Sequence, residues 1–516
     1  MAITAAAGGG NWSAGATWVG GTAPTAADDA ILDATSGAVT VDTTTCVCKT
    51  LVCTGYTALL TFTASQKLTI SGSCTFAATH TLAGTGTLII GDTSTITSGA
   101  LTFPGNLILG GTSKTHTLGD NWAVTGNVTI DGGCTINGNT LTLGGGLTIL
   151  SAATGAGTTD LIMNGTGTLS SAATVNVLKN NLTINTAGTI TLGSYFHFNT
   201  GILTYVAGTV VYGTSIFYIS GSCTLNTNGM IFFELRITGT STITLTSDLT
   251  LADSLTSQIG TNVMNGNTCY IGGSLTCTVD LSGTTTLVMN GTGTLSSSGS
   301  AATLWNNLTV NTAGTITWGT FFSYRTGVFT WTSGTHAGGL GNFYINSNCT
   351  LTISSGKIPM ALRAQTSSVI TLGADLHINS IQTAVSGYLR PEFTGAFNIY
   401  ADTYSVVDYG LSANGHIFAS GTTLTVSTEL RLLSTLSSSG VKSTILIGSK
   451  TPSSPFYLNY TGTPQNCLCV GVTFVDCDAS GSSQEIKNYN GGTLTRCTNI
   501  RNVNLPVIPS SVSIGG

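Results

Sequence analysis

The chain has 516 residues, of which only 7% are Asp, Glu, Lys or Arg, and its net charge is −5. An average soluble domain is about 25% charged. With 67 Gly and 41% apolar residues, the composition excludes a helical protein, a disordered chain and nucleic-acid binding through a basic surface.

The chain opens without the basic start and long apolar run of a secretory signal, and its first basic residue is Lys49. Thr, Ser and Gly interrupt every apolar run before the ~18 residues needed to span a bilayer, so no membrane insertion is expected. The 13 Cys are odd in number and fit no small disulfide framework, which points to folding in a reducing cytoplasm. Residues 1–45 read as an N-terminal cap, too irregular for a repeat. From residue 46, apolar–polar–apolar triplets recur. Leu68-Thr69-Ile70, Leu88-Ile89-Ile90, Leu107-Ile108-Leu109, Val128-Thr129-Ile130 and Leu147-Thr148-Ile149 end at 70, 90, 109, 130 and 149. Phe76 and Ile96 form a second series with the same step. Each triplet is a short strand, one face apolar and one polar, between Gly, Asn or Ser turns. A unit of about 20 residues cannot bury its own apolar face, and stacking units in parallel does so. The predicted fold is an all-β, right-handed parallel β-helix over residues 46–384, the hand following from the rule for parallel crossovers.

Within it lies an internal duplication, residues 120–245 copied as 246–372. Leu161–Ser171 and Leu287–Ser297 match at ten of eleven positions, and Asn180–Thr191 and Asn306–Thr317 at eleven of twelve. Gly201/Gly327, Tyr218/Tyr344 and Cys223/Cys349 keep the same offset of 126. The copies predict two blocks with one strand register, six coils of about 21 residues each. Asp160 and Lys179 are the only charges between Asp131 and Glu234, and Arg325 is the only one between Asp280 and Lys357. In-register stacking explains this, because a charge would repel its copy one coil away.

Cysteines in this pattern share a face with the apolar residue two positions on, so core packing is the preferred reading. A metal site at Cys46, Cys48 and Cys53 lacks a matching His or second Cys pair. Neither a metal nor a cofactor is expected, and no phosphate-binding loop or catalytic triad can be assembled. Cys53 and Cys74 are 21 apart, and Cys477 and Cys497 are 20 apart. Each pair is expected to stack in adjacent coils, inward and unbonded. Aromatics gather in the duplicate. Trp305, Trp318, Phe321, Phe322, Tyr324 and Trp331 could form a stripe for stacking sugars, with packing of a wider coil as the preferred reading.

Residues 385–516 form a distinct C-terminal β region, richer in Pro, Tyr and charge, that ends in an extended apolar tail. Glycan hydrolysis needs two carboxyls roughly 5–9.5 Å apart. Asp476 and Asp478 would lie on one face of a strand, with Glu485 nearby, and Asp402 and Asp408 form a looser pair. The alternative is a plain strand-to-turn segment, and the chain is read as structural rather than enzymatic.

The opening Asn11-Trp12-Ser13-Ala14-Gly15-Ala16-Thr17-Trp18-Val19-Gly20-Gly21-Thr22-Ala23-Pro24, followed by Asp28-Asp29-Ala30-Ile31, resembles the start of β-helical structural proteins of tailed bacteriophages. Asp476–Ile500 resembles the ends of such proteins. The two segments cover about a tenth of the chain, and similar openings occur in bacterial adhesin repeats. The resemblance implies a virion component exposed on the particle, as a fibre, spike or head decoration, often trimeric. The expected partners are further copies in a homotrimer, with the tail Val503–Ile514 packed on a neighbour, other virion proteins, and host surface glycans. A tailspike-type glycan depolymerase and a surface adhesin or ice-binding solenoid are the alternatives.

Overall fold

The computed structural model describes residues 1–151, 157–339, 341–364, 368–383, 392–395, 397–408, 415–434, 445–489 and 492–504. It is a parallel β-solenoid of about 20 turns. Among the described residues the only helical turns are two 3₁₀ segments, Gly15–Thr17 and Pro464–Asn466. The tail from residue 505 lies outside the described residues. The chain divides into two compact units, Met1–Asp253 with Gln258–Cys269, and Ser254–Ser257 with Tyr270–Gly516.

In the first unit the triplets pair as their spacing predicts. Ile70, Ile90, Leu109, Ile130 and Ile149 form one continuous rung-to-rung column. Each is at most 2% exposed. Removing such a side chain from water contributes roughly 1.5–3 kcal/mol, so the column favours this register over any one-residue slip. The second series differs from its expectation. Ile96 pairs with Cys74, not Phe76. The opening residues differ too. They are coils already: Ala2–Thr4 pairs with Asp29–Ile31, which pairs with Thr50–Val52. Gly10–Asn11 pairs with Val39–Thr40 and these with Leu60–Thr61. Trp12 and Trp18, 1% and 2% exposed, pack edge to face at 4.9 Å.

The duplicated motifs fold identically, each inside its own unit. Leu161, Leu182, Leu203 and Leu225 stack in one copy; Leu287, Leu308, Phe329 and Leu351 stack in the other. The repeated Asn pair has a distinct job at each position. Asn180 and Asn306 are buried and donate to the carbonyls of Thr159 and Thr285. Asn181 and Asn307 accept from the next coil's N–H, at Ile202 and Val328, 2.9 Å in both copies. A bulge follows at Asn185 and Asn311, closed by Gly188 and Gly314 N–H donating to Thr186 and Thr312 Oγ1 at 2.9 Å. The copies then part by one residue: Leu225 pairs with Leu245, 20 on, and Leu351 with Leu372, 21 on.

In the second unit the parallel pairing continues past residue 385. Leu376–Thr383, Ile399–Asp408 and Thr423–Ser434 stack in succession. Later rungs reach Ile500–Val503. The C-terminal region therefore differs in strand length and charge rather than in how it pairs.

Candidate functional site

The three candidate acids do not form a pair. Asp476 leaves the strand with φ +47°, so it and Asp478 no longer alternate onto one face. It is 2% exposed and held by both Nε and Nη2 of Arg496. That guanidinium lowers the carboxyl's pKa, the reverse of what a general acid needs. Asp478 Oδ1 accepts from Ser480 N–H at 2.9 Å, and Glu485 is paired with Arg501 at 3.0 Å. Asp402 is bound by Lys357 and by the Ser427 hydroxyl, and the Asp408 side chain lies outside the described residues.

Four of the six candidate aromatics are core. Phe322, Tyr324 and Trp331 are 0% exposed and Trp318 is 3%. Trp331 stacks on His336 at 3.7 Å, and Trp318 Nε1 donates to His336 Nδ1 at 3.1 Å. These rings offer no face to a sugar. Trp305 is half-buried, with the Arg325 guanidinium 4.1 Å over its ring. Phe321 is half-buried and stacks on Tyr344 at 6.2 Å.

All 13 cysteines are free thiols, and 11 are buried. Cys477 and Cys497 stack as expected, since Asp478 pairs with Thr498, although Cys497 is only half-buried. Cys53 and Cys74 do not. Cys74 pairs with Leu51, and Cys53 with Leu32. Among the described residues no cluster of three His, Cys, Asp or Glu is placed to hold a metal ion. No helix among them is long and apolar enough to cross a membrane.

The polar chemistry gathers elsewhere, on the outer face of the strands Ile358–Ala364, Leu376–Thr383, Ile399–Asp408 and Thr423–Ser434. Two neighbouring columns run up this face. Asn342, Ala361, Ser380, Thr403 and Glu429 form one; Tyr344, Arg363, Gln382, Ser405 and Arg431 form the other. Beside them His377 and Tyr400 stack face to face at 4.5 Å. The first column has short side chains at its lower rungs, and the second has long ones, so a cleft of ≈ 440 Å³ opens between them. Gly341 adjoins it, and a Cβ there would lie 2.7 Å from the Thr320 carbonyl. Arg363 Nη2 donates to Gln382 Oε1 at 2.8 Å, and Gln382 Nε2 donates to Ser380 Oγ at 3.2 Å. Arg363 Nε is buried and has no partner among the described residues. The volume falls within the ≈ 300–1,000 Å³ common for ligand sites.

Sequence reasoning missed this cleft. The return of charge at Lys357 and Arg363 was one available signal. The equivalence of Arg363 to Arg236 was hidden because the offset there is 127, not 126. No family model, curated protein or solved structure matches the chain.

Proposed function

We propose that the chain is a structural protein of a tailed-bacteriophage particle, a rigid β-helical fibre, spike or decoration exposed on the surface and touching host glycans. The observation that supports this most is the repeated parallel pairing of short coils. Each coil is hydrogen-bonded to the coils before and after it, and its outer positions are mostly uncharged Thr, Ser and Asn. Such a body resists bending and needs no cofactor to hold its form. The Asn11–Pro24 opening supplies the bacteriophage part of the reading. Homotrimeric assembly follows from the same reading, with side-by-side packing of weakly charged outer faces.

Immunogold labelling with antibody to the purified chain tests the assignment. Label on phage particles is the expected result. Label confined to bacterial cells would make the chain an adhesin instead. Sedimentation equilibrium should return three copies per assembly. Clearing of host capsule by the purified protein, abolished by Asp476→Asn with Asp478→Asn, would replace the structural reading with a depolymerase.

A further inference from the structure

The duplication provides an internal comparison for the cleft. In the first copy Tyr218 pairs with Arg236, and Ile216 pairs with Glu234. In the second, Tyr344 pairs with Arg363, and Asn342 pairs with Ala361. Arg236 and Arg363 are therefore structural equivalents, as are Glu234 and Ala361. In the first copy Arg236 is satisfied from within. Its Nε and Nη2 both donate to the Glu234 carboxylate, and its Nη1 reaches the Tyr218 hydroxyl at 3.4 Å. In the second copy the carboxylate is gone. Ala361 replaces it, the cleft opens, and Arg363 Nε is left buried without an acceptor among the described residues.

An unpaired buried guanidinium N–H is costly, and a carboxylate is the acceptor that its planar fork fits best. The remaining walls are Asn342, Asn379, Ser380, Gln382 and Thr403. Such side chains donate and accept together, as sugar hydroxyls do. Glu429 also lines the cleft, which accepts hydroxyl donors but repels a densely charged polyanion such as nucleic acid. The half-exposed Tyr344 lies in the rung beside Arg363, its ring stacked on Phe321.

We propose that the cleft beside Arg363 binds saccharides bearing carboxylates, the ligand's carboxylate taking the place that the Glu234 side chain holds in the first copy. This rests on the reading of the chain as a glycan-contacting surface protein, and it names the class of glycan and the site.

The test is calorimetric titration of the full chain with a panel of uronate and sialate oligosaccharides, with maltohexaose as the neutral control. Saturable binding of an acidic member and none of the neutral one is expected. Arg363→Gln should weaken it roughly tenfold or more, the loss of one charge-assisted pair. Ala361→Glu should do the same by rebuilding the first copy's internal ion pair, and Arg236→Gln should change nothing. If Ala361→Glu fails to fold, as its unfolding curve would show, Arg363→Gln alone decides. No binding across the panel, equal binding of maltohexaose, or undiminished binding by Arg363→Gln would overturn the proposal. The particle-labelling result stays separate. Binding by a chain absent from particles sinks the virion reading alone, and a particle protein that binds none of the panel sinks the cleft alone.

Discussion

His416 is 1% exposed, and its Nδ1 shares a hydrogen bond of 2.7 Å with the Tyr404 hydroxyl. Burial pushes its pKa down to about 3. Burial also lowers the pKa of His80, His116, His197 and His336. A histidine whose folded pKa lies below its unfolded value near 6.5 binds its proton preferentially when unfolded. Its contribution to stability is therefore complete above pH ~6.5 and falls as the pH drops toward the folded value. For His416 the loss is on the order of 1.4 kcal/mol per pH unit below 6.5. Unfolding midpoints measured between pH 7.5 and 5 should fall steeply, and His416→Gln should flatten the slope. A midpoint that does not move over that range would refute the neutral buried state. The cysteines give a second expectation. Only Cys467 and Cys497 are not fully buried. The Cys469 thiol donates to Cys467 and lowers its pKa, whereas burial raises that of Cys497. An aromatic disulfide reagent should label Cys467 first and Cys497 slowly, reaching all 13 thiols only in denaturant. Inward cysteines were legible because each shares a face with an apolar neighbour. The turn at Asp476 was not, because nothing in Asp476-Cys477-Asp478 signals a left-handed residue inside a strand pattern.

At the scale of the strand and turn, the identity of the two Met-Asn-Gly-Thr-Gly segments has a backbone cause. Gly165 packs on Gly144 of the preceding coil, where a Cβ would sit 1.9 Å from the carbonyl oxygen. Gly291 packs on Gly272 in the same way, at 1.8 Å. Backbone lies on backbone at this corner, so no side chain fits on either level. Gly165→Ala or Gly291→Ala should each cost about 2 kcal/mol or more, because relief requires the coils to part. Gly299→Ala, with nothing within 4 Å of its Cβ, should be near neutral. Equal denaturation midpoints for all three variants would refute the stacking account. The same geometry explains which registers could be read in advance. The Ile70-to-Ile149 column was legible because its steps carry an uninterrupted alternation of buried and outer residues. The Phe76/Ile96 and Cys53/Cys74 steps were misjudged by two residues. With a side-chain period of two, such a slip leaves every inward residue inward, and the sequence pattern cannot register it. The cleft was illegible for a related reason. A single inserted residue between Cys349 and Arg363 breaks the 126-residue offset exactly where the copies diverge in chemistry.

For the molecule as a whole, the scarcity of charge separates stability from recognition. Seven ion pairs occur among the described residues, and most leave at least one partner well exposed. Exposed pairs of this kind contribute a median of about 0–1 kcal/mol each and are screened by salt. The apolar columns and the backbone ladders carry the stability instead, and salt does not screen either. Raising the salt from roughly 0.02 to 0.5 M, which shortens the Debye length severalfold, should leave the unfolding midpoint within about 2 °C. Ligand binding beside Arg363 should respond differently, since it rests on a guanidinium that forms no ion pair among the described residues. Affinity for an acidic oligosaccharide should fall across the same range while the unfolding midpoint stays fixed. The two quantities are measured on one preparation, so a parallel change in both would mean that salt acts on the fold. A constant affinity with a constant midpoint would mean that the contact is not ionic and that Arg363 is not its anchor.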